Sequence, residues 1–242
     1  MVWRLSMCYC KYIMSDMSGA EKPRLDGDEF YDEASKINEE LDAIKKGGNT
    51  AIVDTIISRD EAREDAIRDP LTSLYNRGFI IETLETEVAR TVRNPKPISV
   101  IMIDSDDFKA INDQWGHLTG DRVLVCLAEA MKAGVRKVDV PGRYGGDELI
   151  VLLPETNEEE AVIVAERIQK KFEESMEVEF KESDEFAGLT SKISIGVGER
   201  SEGEKTDATA LIKKADEALY LAKEQGGNKV VAYTEVLTQG TD

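Results

Sequence analysis

One stretch constrains this chain more than any other: Arg143-Tyr144-Gly145-Gly146-Asp147-Glu148-Leu149-Ile150-Val151-Leu152-Leu153-Pro154. It reads as strand, tight turn, strand. Gly145-Gly146 is a two-residue hairpin signal, because such a turn demands a positive φ that glycine adopts at little cost. The unbroken apolar run 149–153 reads as a buried strand. Asp147 and Glu148 stand between turn and core. Neighbours on a strand point to opposite faces, so these two carboxylates are expected to serve different roles.

A second acidic cluster lies upstream, in Ile98-Ser99-Val100-Ile101-Met102-Ile103-Asp104-Ser105-Asp106-Asp107-Phe108-Lys109. Here an apolar strand runs straight into Asp104. Carboxylates at the end of a buried strand, beside an acidic hairpin, suit a hard cation with oxygen ligands. Two carboxylates and a backbone carbonyl leave Mg²⁺ positions open for water and phosphate, as in nucleotide enzymes. The plainer alternative is that Asp106 or Asp107 caps the helix beginning near Phe108.

Further segments follow in order: Asp69-Pro70-Leu71-Thr72-Ser73-Leu74-Tyr75-Asn76-Arg77, then 104–112, Gly116-His117-Leu118-Thr119-Gly120-Asp121, the hairpin, Ser194-Ile195-Gly196-Val197, and Ala215-Asp216-Glu217-Ala218-Leu219-Tyr220 with Ala222-Lys223. With these the chain resembles the GGDEF-domain family of diguanylate cyclases over about residues 69–233. The resemblance implies condensation of two GTP into cyclic di-GMP and two pyrophosphates by a homodimer, with Mg²⁺ or Mn²⁺. By position it makes Asp104, Asp147 and the Ser105 carbonyl metal ligands. Glu148 would take the hydroxyl proton or complete the metal shell. Asn112 and Asp121 would read guanine; Lys109, Lys223 and the N–H groups near Asp107 and Phe108 would hold phosphates. Arg136 and Asp139, with Arg167, match the family's RxxD product-inhibition site.

Three departures favour a rival reading, a catalytically silent module that binds GTP or cyclic di-GMP as a receptor. Ser105 stands where the family has an aliphatic residue, Leu149 where its signature has Phe, and Gly227 where it has a phosphate-binding Arg. The last is expected to weaken GTP binding. The bland alternatives are that Asp121 caps a helix and that Lys109 and Lys223 are solvated.

With 49 acidic against 31 basic residues the net charge is −18, which disfavours nucleic acid and anionic membranes as partners. Cys8, Cys10 and Cys126 form no disulfide framework or zinc set, which points to a reducing, cytoplasmic setting. Cys126 reads as a small core residue, and His117, in a loop, as a packing residue.

Residues 1–27 read as a poorly ordered leader, too short and too interrupted by Arg4 and Lys11 to span a membrane. Residues 28–68 read as helical: a stripe at Phe30, Ala34, Ile37, Leu41 and Ile44, a break at Gly47-Gly48-Asn49, then heptad-like spacing through Ile67. The resemblance favours a dimerising signalling helix for the second part. The domain proper is expected over 69–235 and a fraying tail over 236–242. Within it helices are expected at 76–93, 108–112, 121–133, 156–174 (opened by a Thr156–Glu159 capping box) and 207–225. Strands are expected at 98–104, 138–144, 148–153, 176–180, 190–197 and 229–233. This is an α/β (α+β) pattern with a mixed, mostly antiparallel sheet among helices. The resemblance implies the palm-like nucleotidyl-cyclase fold.

Overall fold

A nine-residue strand, β1 (Ile98–Asp106), has its first eight residues buried. A near-continuous apolar sequence is what a strand covered on both faces requires. β3 (Glu148–Pro154) pairs with it on one side and β4 (Lys192–Arg200) on the other, both antiparallel. β2 (Val140–Gly145) flanks β3, and the short β5 (Val230–Ala232) runs parallel to β4. The order β2-β3-β1-β4-β5 makes the sheet mixed and mostly antiparallel, as expected.

This computed structural model describes residues 62, 64–180, 186 and 188–239. The chain divides into two units, residues 1–66 and 67–242, and the sheet belongs to the second. The expected leader, the 28–46 helix and most of the helix leading to Arg68 lie outside the described residues.

Helices cover both sheet faces. α3 (His117–Gly134) and α4 (Glu158–Phe180) close one over Ile101, Ile103, Leu149, Val151, Ile193 and Ile195. α1 (Arg77–Arg93) and α5 (Ala208–Glu224) close the other over Val100, Met102, Ile150 and Leu152. Alternate residues of each strand thus enter different cores, each fully buried aliphatic contributing about 1.5–3 kcal/mol. α2 (Phe108–Trp115) links β1 to α3, and α6 (Tyr233–Gln239) follows β5. β4 carries glycine where α5 crosses. A Cβ at Gly196 would lie 2.1 Å from the Ala215 carbonyl oxygen and 2.2 Å from the Leu219 nitrogen.

Several expectations are corrected. Residues 176–180 are the end of α4, not an edge strand. Met-Glu-Val-Glu-Phe satisfies both periods, but the helix buries Met176 and Phe180, four apart, and leaves Val178 82% exposed. The capping box falls one residue later. Asn157 Oδ1 accepts from the Glu160 N–H at 2.9 Å and Glu160 Oε2 from the Asn157 N–H at 3.2 Å. α3 begins at His117, which is exposed rather than packed, so Asp121 lies inside the helix and does not cap it. Residues 233–239 form α6 instead of fraying, with Val236 against the cluster of Ala218, Ala222 and Val231.

Candidate active site

The site is built at the end of β1. Asp104 faces Glu148 across the β1–β3 pair and Ser194 across β1–β4; cross-strand partners share a face. The Lys223 ammonium, from the last turn of α5, lies 2.6 Å from Asp104 Oδ1. The close approach of α5 at Gly196 sets that reach.

Asp147 is a turn residue, not a strand residue. β2 ends at Gly145, β3 begins at Glu148, and Gly145 pairs with Glu148, so the two-residue loop is Gly146-Asp147 with φ +51° at Gly146. The separation of Asp147 from Glu148 therefore comes from the turn and not from strand alternation.

The electrostatics of the cluster are one-sided. Burial pushes the Asp104 carboxyl above its ordinary value; Lys223 pulls it back, and Asp147 and Asp106 add to the rise. Burial also raises Glu148, followed by the charges of Asp104, Asp216 and Asp147. Asp216, on α5, is a member of the cluster that strand and turn patterns did not single out. Among the described residues no three acidic, histidine or cysteine side chains converge on one point as a complete metal cage. Asp104, Asp147, Glu148 and the Ser105 carbonyl are the candidate donors to a divalent cation, whose remaining positions would go to phosphate and water. Such an ion would supply charge to phosphate oxygens and lower the pKa of a hydroxyl.

Asp107 holds the N-cap position of α2 in the left-handed region, φ +58°, and its side chain makes no capping bond. Asp106 does not cap the helix either. Its carboxylate accepts from the Ser194 hydroxyl at 2.7 Å and from the Asn228 N–H at 2.8 Å. Phe108 is half-buried and Lys109 exposed. Asn112 is tucked under α3, where a Cβ at Gly120 would lie 2.0 Å from its Oδ1. That buried oxygen has no hydrogen-bond partner, so the amide carries polar capacity that packing does not use. Asp121, next to Gly120, lines a cavity of about 540 Å³ together with Leu71, Leu118, Arg122 and Val125.

The three departures differ in consequence. The Ser105 hydroxyl meets that of Ser191 at 3.2 Å in a buried pair, and Leu149 is fully buried in the core under α3 and α4. Gly227 has φ +71°, and a Cβ there would lie 2.9 Å from Asp106 Oδ2. A side chain at 227 would therefore have to displace the Asp106 carboxylate, which is held by Ser194 and the Asn228 N–H.

Arg136 and Asp139 pair at the other end of the sheet, and Arg167 is bonded to the segment just before them. The Asp139 side chain is wholly buried and accepts from the Arg136 backbone N–H at 2.7 Å and from Nη2 at 2.9 Å. The bond to Asp139 raises the pKa of the Arg136 guanidinium, whose Nη2 also donates to the Thr156 hydroxyl at 2.6 Å. Arg167 Nε donates to the Gly134 carbonyl at 2.7 Å, two residues from Arg136. Thr156 was expected only as part of a cap.

Residues 66–229 match the family model described as "Diguanylate cyclase, GGDEF domain". The chain belongs to the GGDEF family. The domain is 40% identical over 169 residues to diguanylate cyclase DosC of Escherichia coli, covering 70% of this chain and 35% of that protein. It is 40% identical over 172 residues to response regulator PleD of Caulobacter vibrioides, covering 71% and 37%. The chain thus spans about a third of the length of the curated relatives it matches. Among solved structures, the GGDEF domain of DgcB from Caulobacter crescentus in complex with c-di-GMP is 27% identical, with a TM-score of 0.63, covering 70% of this chain and 96% of that one. Diguanylate cyclase SiaD of Pseudomonas aeruginosa, solved with its activator SiaC, is 30% identical with a TM-score of 0.62, covering 96% and 82%. The GGDEF fold is therefore that of this sheet, and among the described residues no helix is long and apolar enough to cross a membrane.

Proposed function

We propose that this protein is a diguanylate cyclase, condensing two GTP into cyclic di-GMP as a homodimer and inhibited by its product through Arg136, Asp139 and Arg167. The observation that carries the reading is the excess of carboxylate at one end of the sheet. Asp104 and Glu148 face each other across the β1–β3 pair; the charges of Asp147 and Asp106 act on Asp104 and those of Asp104, Asp216 and Asp147 on Glu148, with Lys223 as the cation on Asp104. Such a cluster suits a bound cation and a polyphosphate, not a finished ion-pair network.

In this reading guanine enters the cavity beside Asp121, whose carboxylate accepts from the base N–H groups; Asn112, whose buried Oδ1 has no partner, is the second guanine contact. The triphosphate lies along the first turn of α2, near Lys109. Lys223 turns from Asp104 to the phosphates when nucleotide arrives. Glu148 takes the proton of the ribose 3′-hydroxyl. The 3′-oxygen then bonds to the α-phosphorus of the GTP on the partner protomer, the bond to the β-phosphate breaks, and pyrophosphate leaves. Repetition in the opposite sense closes the ring. Because each protomer holds one GTP, the reaction needs two copies face to face.

The receptor reading loses two of its three supports, since Ser105 and Leu149 turn away from the carboxylate face; Gly227 remains. The deciding experiment incubates the full chain with GTP and Mg²⁺ and separates the nucleotides by chromatography. Cyclic di-GMP with two pyrophosphates per ring supports the cyclase. Binding of GTP or cyclic di-GMP without turnover, in Mg²⁺ and in Mn²⁺, establishes the receptor instead.

A further inference from the structure

The site is positioned by residues that have no part in the chemistry above. Arg143 lies near the end of β2, where the β2–β3 register shifts between Arg143 and Gly145. Its guanidinium forks. Nε and Nη2 donate to the Gly146 carbonyl at 2.9 and 2.8 Å, and Nη1 donates to Asp69 Oδ2 at 3.1 Å. Arg143 and Asp69 are both mostly shielded, their side chains 20% and 16% exposed. Gly146 precedes Asp147 in the loop, so one arginine grips the backbone that carries the carboxylate.

Asp69 is itself held in place. Its Oδ1 accepts from the Thr72 N–H at 2.9 Å and hydroxyl at 2.7 Å. The turn around it closes through Asp69 N–H to Leu74 carbonyl and Asn76 N–H to Ile67 carbonyl, both 2.8 Å. That turn is stitched to β2, because Tyr75 donates to the Pro141 carbonyl at 3.1 Å and accepts from the Arg143 N–H at 2.8 Å. Arg68 stacks over the Tyr75 ring at 3.8 Å. The segment by which the chain enters the domain is therefore joined to β2 by backbone bonds and to the 146–147 loop by the Arg143 guanidinium.

We infer that Arg143, anchored by Asp69, is a positioning residue that holds the Gly146-Asp147 loop in its ligand-ready geometry and ties that geometry to the domain's entry turn. The guanidinium satisfies a carbonyl and a carboxylate at once, in a planar fork that lysine cannot reproduce. The loop is closed by the Gly145–Glu148 pairing, and a Cβ on Gly146 would point into open space, so the Arg143 grip falls on the loop backbone and not on a packed side chain. The inference rests on the cyclase reading only where turnover is measured.

The test uses the full chain with Arg143→Ala, Arg143→Lys and Asp69→Asn. In the nucleotide-free protein, amide exchange at 146–148 should quicken in Arg143→Ala while exchange in β1 and β4 stays unchanged. Affinity for Mn²⁺ with 3′-deoxy-GTP, which cannot react, should fall about tenfold. Turnover should fall about 10²-fold in Arg143→Ala, with KM for GTP changed far less, since a misplaced ligand costs rate more than binding. Arg143→Lys should rescue only part of the loss. Asp69→Asn, which keeps an oxygen acceptor for Thr72, should show the same pattern more weakly. Wild-type exchange and Mn²⁺ affinity in Arg143→Ala overturn the inference, as does quickening that spreads evenly over the sheet. If the wild-type protein makes no cyclic di-GMP, the cyclase reading falls alone, and the exchange and Mn²⁺ results still judge the clamp.

Discussion

The two ends of the β1–β3 pair carry aspartates that are satisfied in opposite ways. At the Ile98 end, Asp139 is sealed, and its carboxylate is filled by three donors of Arg136. At the other end, Asp104, Asp147, Glu148 and Asp216 crowd together with one lysine bonded to Asp104. The first arrangement is balanced and can hold its shape without a ligand. The second is left short of positive charge, which a cation and its nucleotide would supply. The ends are about 20 Å apart along β3 at roughly 3.4 Å per residue. An anion on the exposed face of Arg136 would thus lie far from the carboxylate cluster.

The largest expected effect breaks the crowded end. Asp147→Asn should lower turnover by about 10²–10³-fold, the scale for removing one charge-stabilising group. GTP binding without metal should barely change. Product formation near the wild-type rate would remove Asp147 from the mechanism.

At the balanced end, Arg136→Ala should abolish most inhibition by cyclic di-GMP and leave the uninhibited rate nearly intact. Initial velocities against added product at several GTP concentrations test this; purely competitive inhibition in the wild type would contradict it. Because Asp139 is buried, the same variant should also lose about 1–3 kcal/mol of stability, the cost of a buried acceptor left unpaired. A denaturant midpoint equal to wild type would mean Asp139 finds another donor.

Gly227→Arg sharpens the contrast in the other direction. Sequence alone suggests that restoring an arginine should tighten GTP. With φ +71° and Asp106 at 2.9 Å from the added Cβ, it should instead cost about 1–2 kcal/mol, as a left-handed L-residue does, and leave KM for GTP no lower. A lower KM with unchanged melting temperature would show that the turn yields.

The smallest effect concerns acid stability. Burial raises the Asp69 carboxyl, but Thr72 and Arg143 outweigh it and hold the pKa below its ordinary value. The folded pKa is thus below the unfolded one. The stabilisation is complete above the unfolded value, about pH 4, and is lost as pH falls through the lower folded value. Melting curves between pH 5 and 2 should show a shallower acid decline in Asp69→Asn than in wild type.

Chain order, the buried β1 and β3, the four long helical faces and the acidic strand end were legible in the sequence, because each depends on periodicity or on neighbours close in sequence. The metal and nucleotide candidates were named through motif register. Local pattern failed where two periods coincide, as at 176–180, and where a cap or turn moves by one residue, as at Asn157 and Gly146-Asp147. Arg143 on Gly146 and Asp69, Asp106 under Gly227, Thr156 beneath Arg136 and Asp216 beside Glu148 could come only from the tertiary structure. Each of these pairings, apart from the local Arg143–Gly146 bond, joins residues distant in sequence, and their meeting depends on strand register and helix approach, not on local propensity.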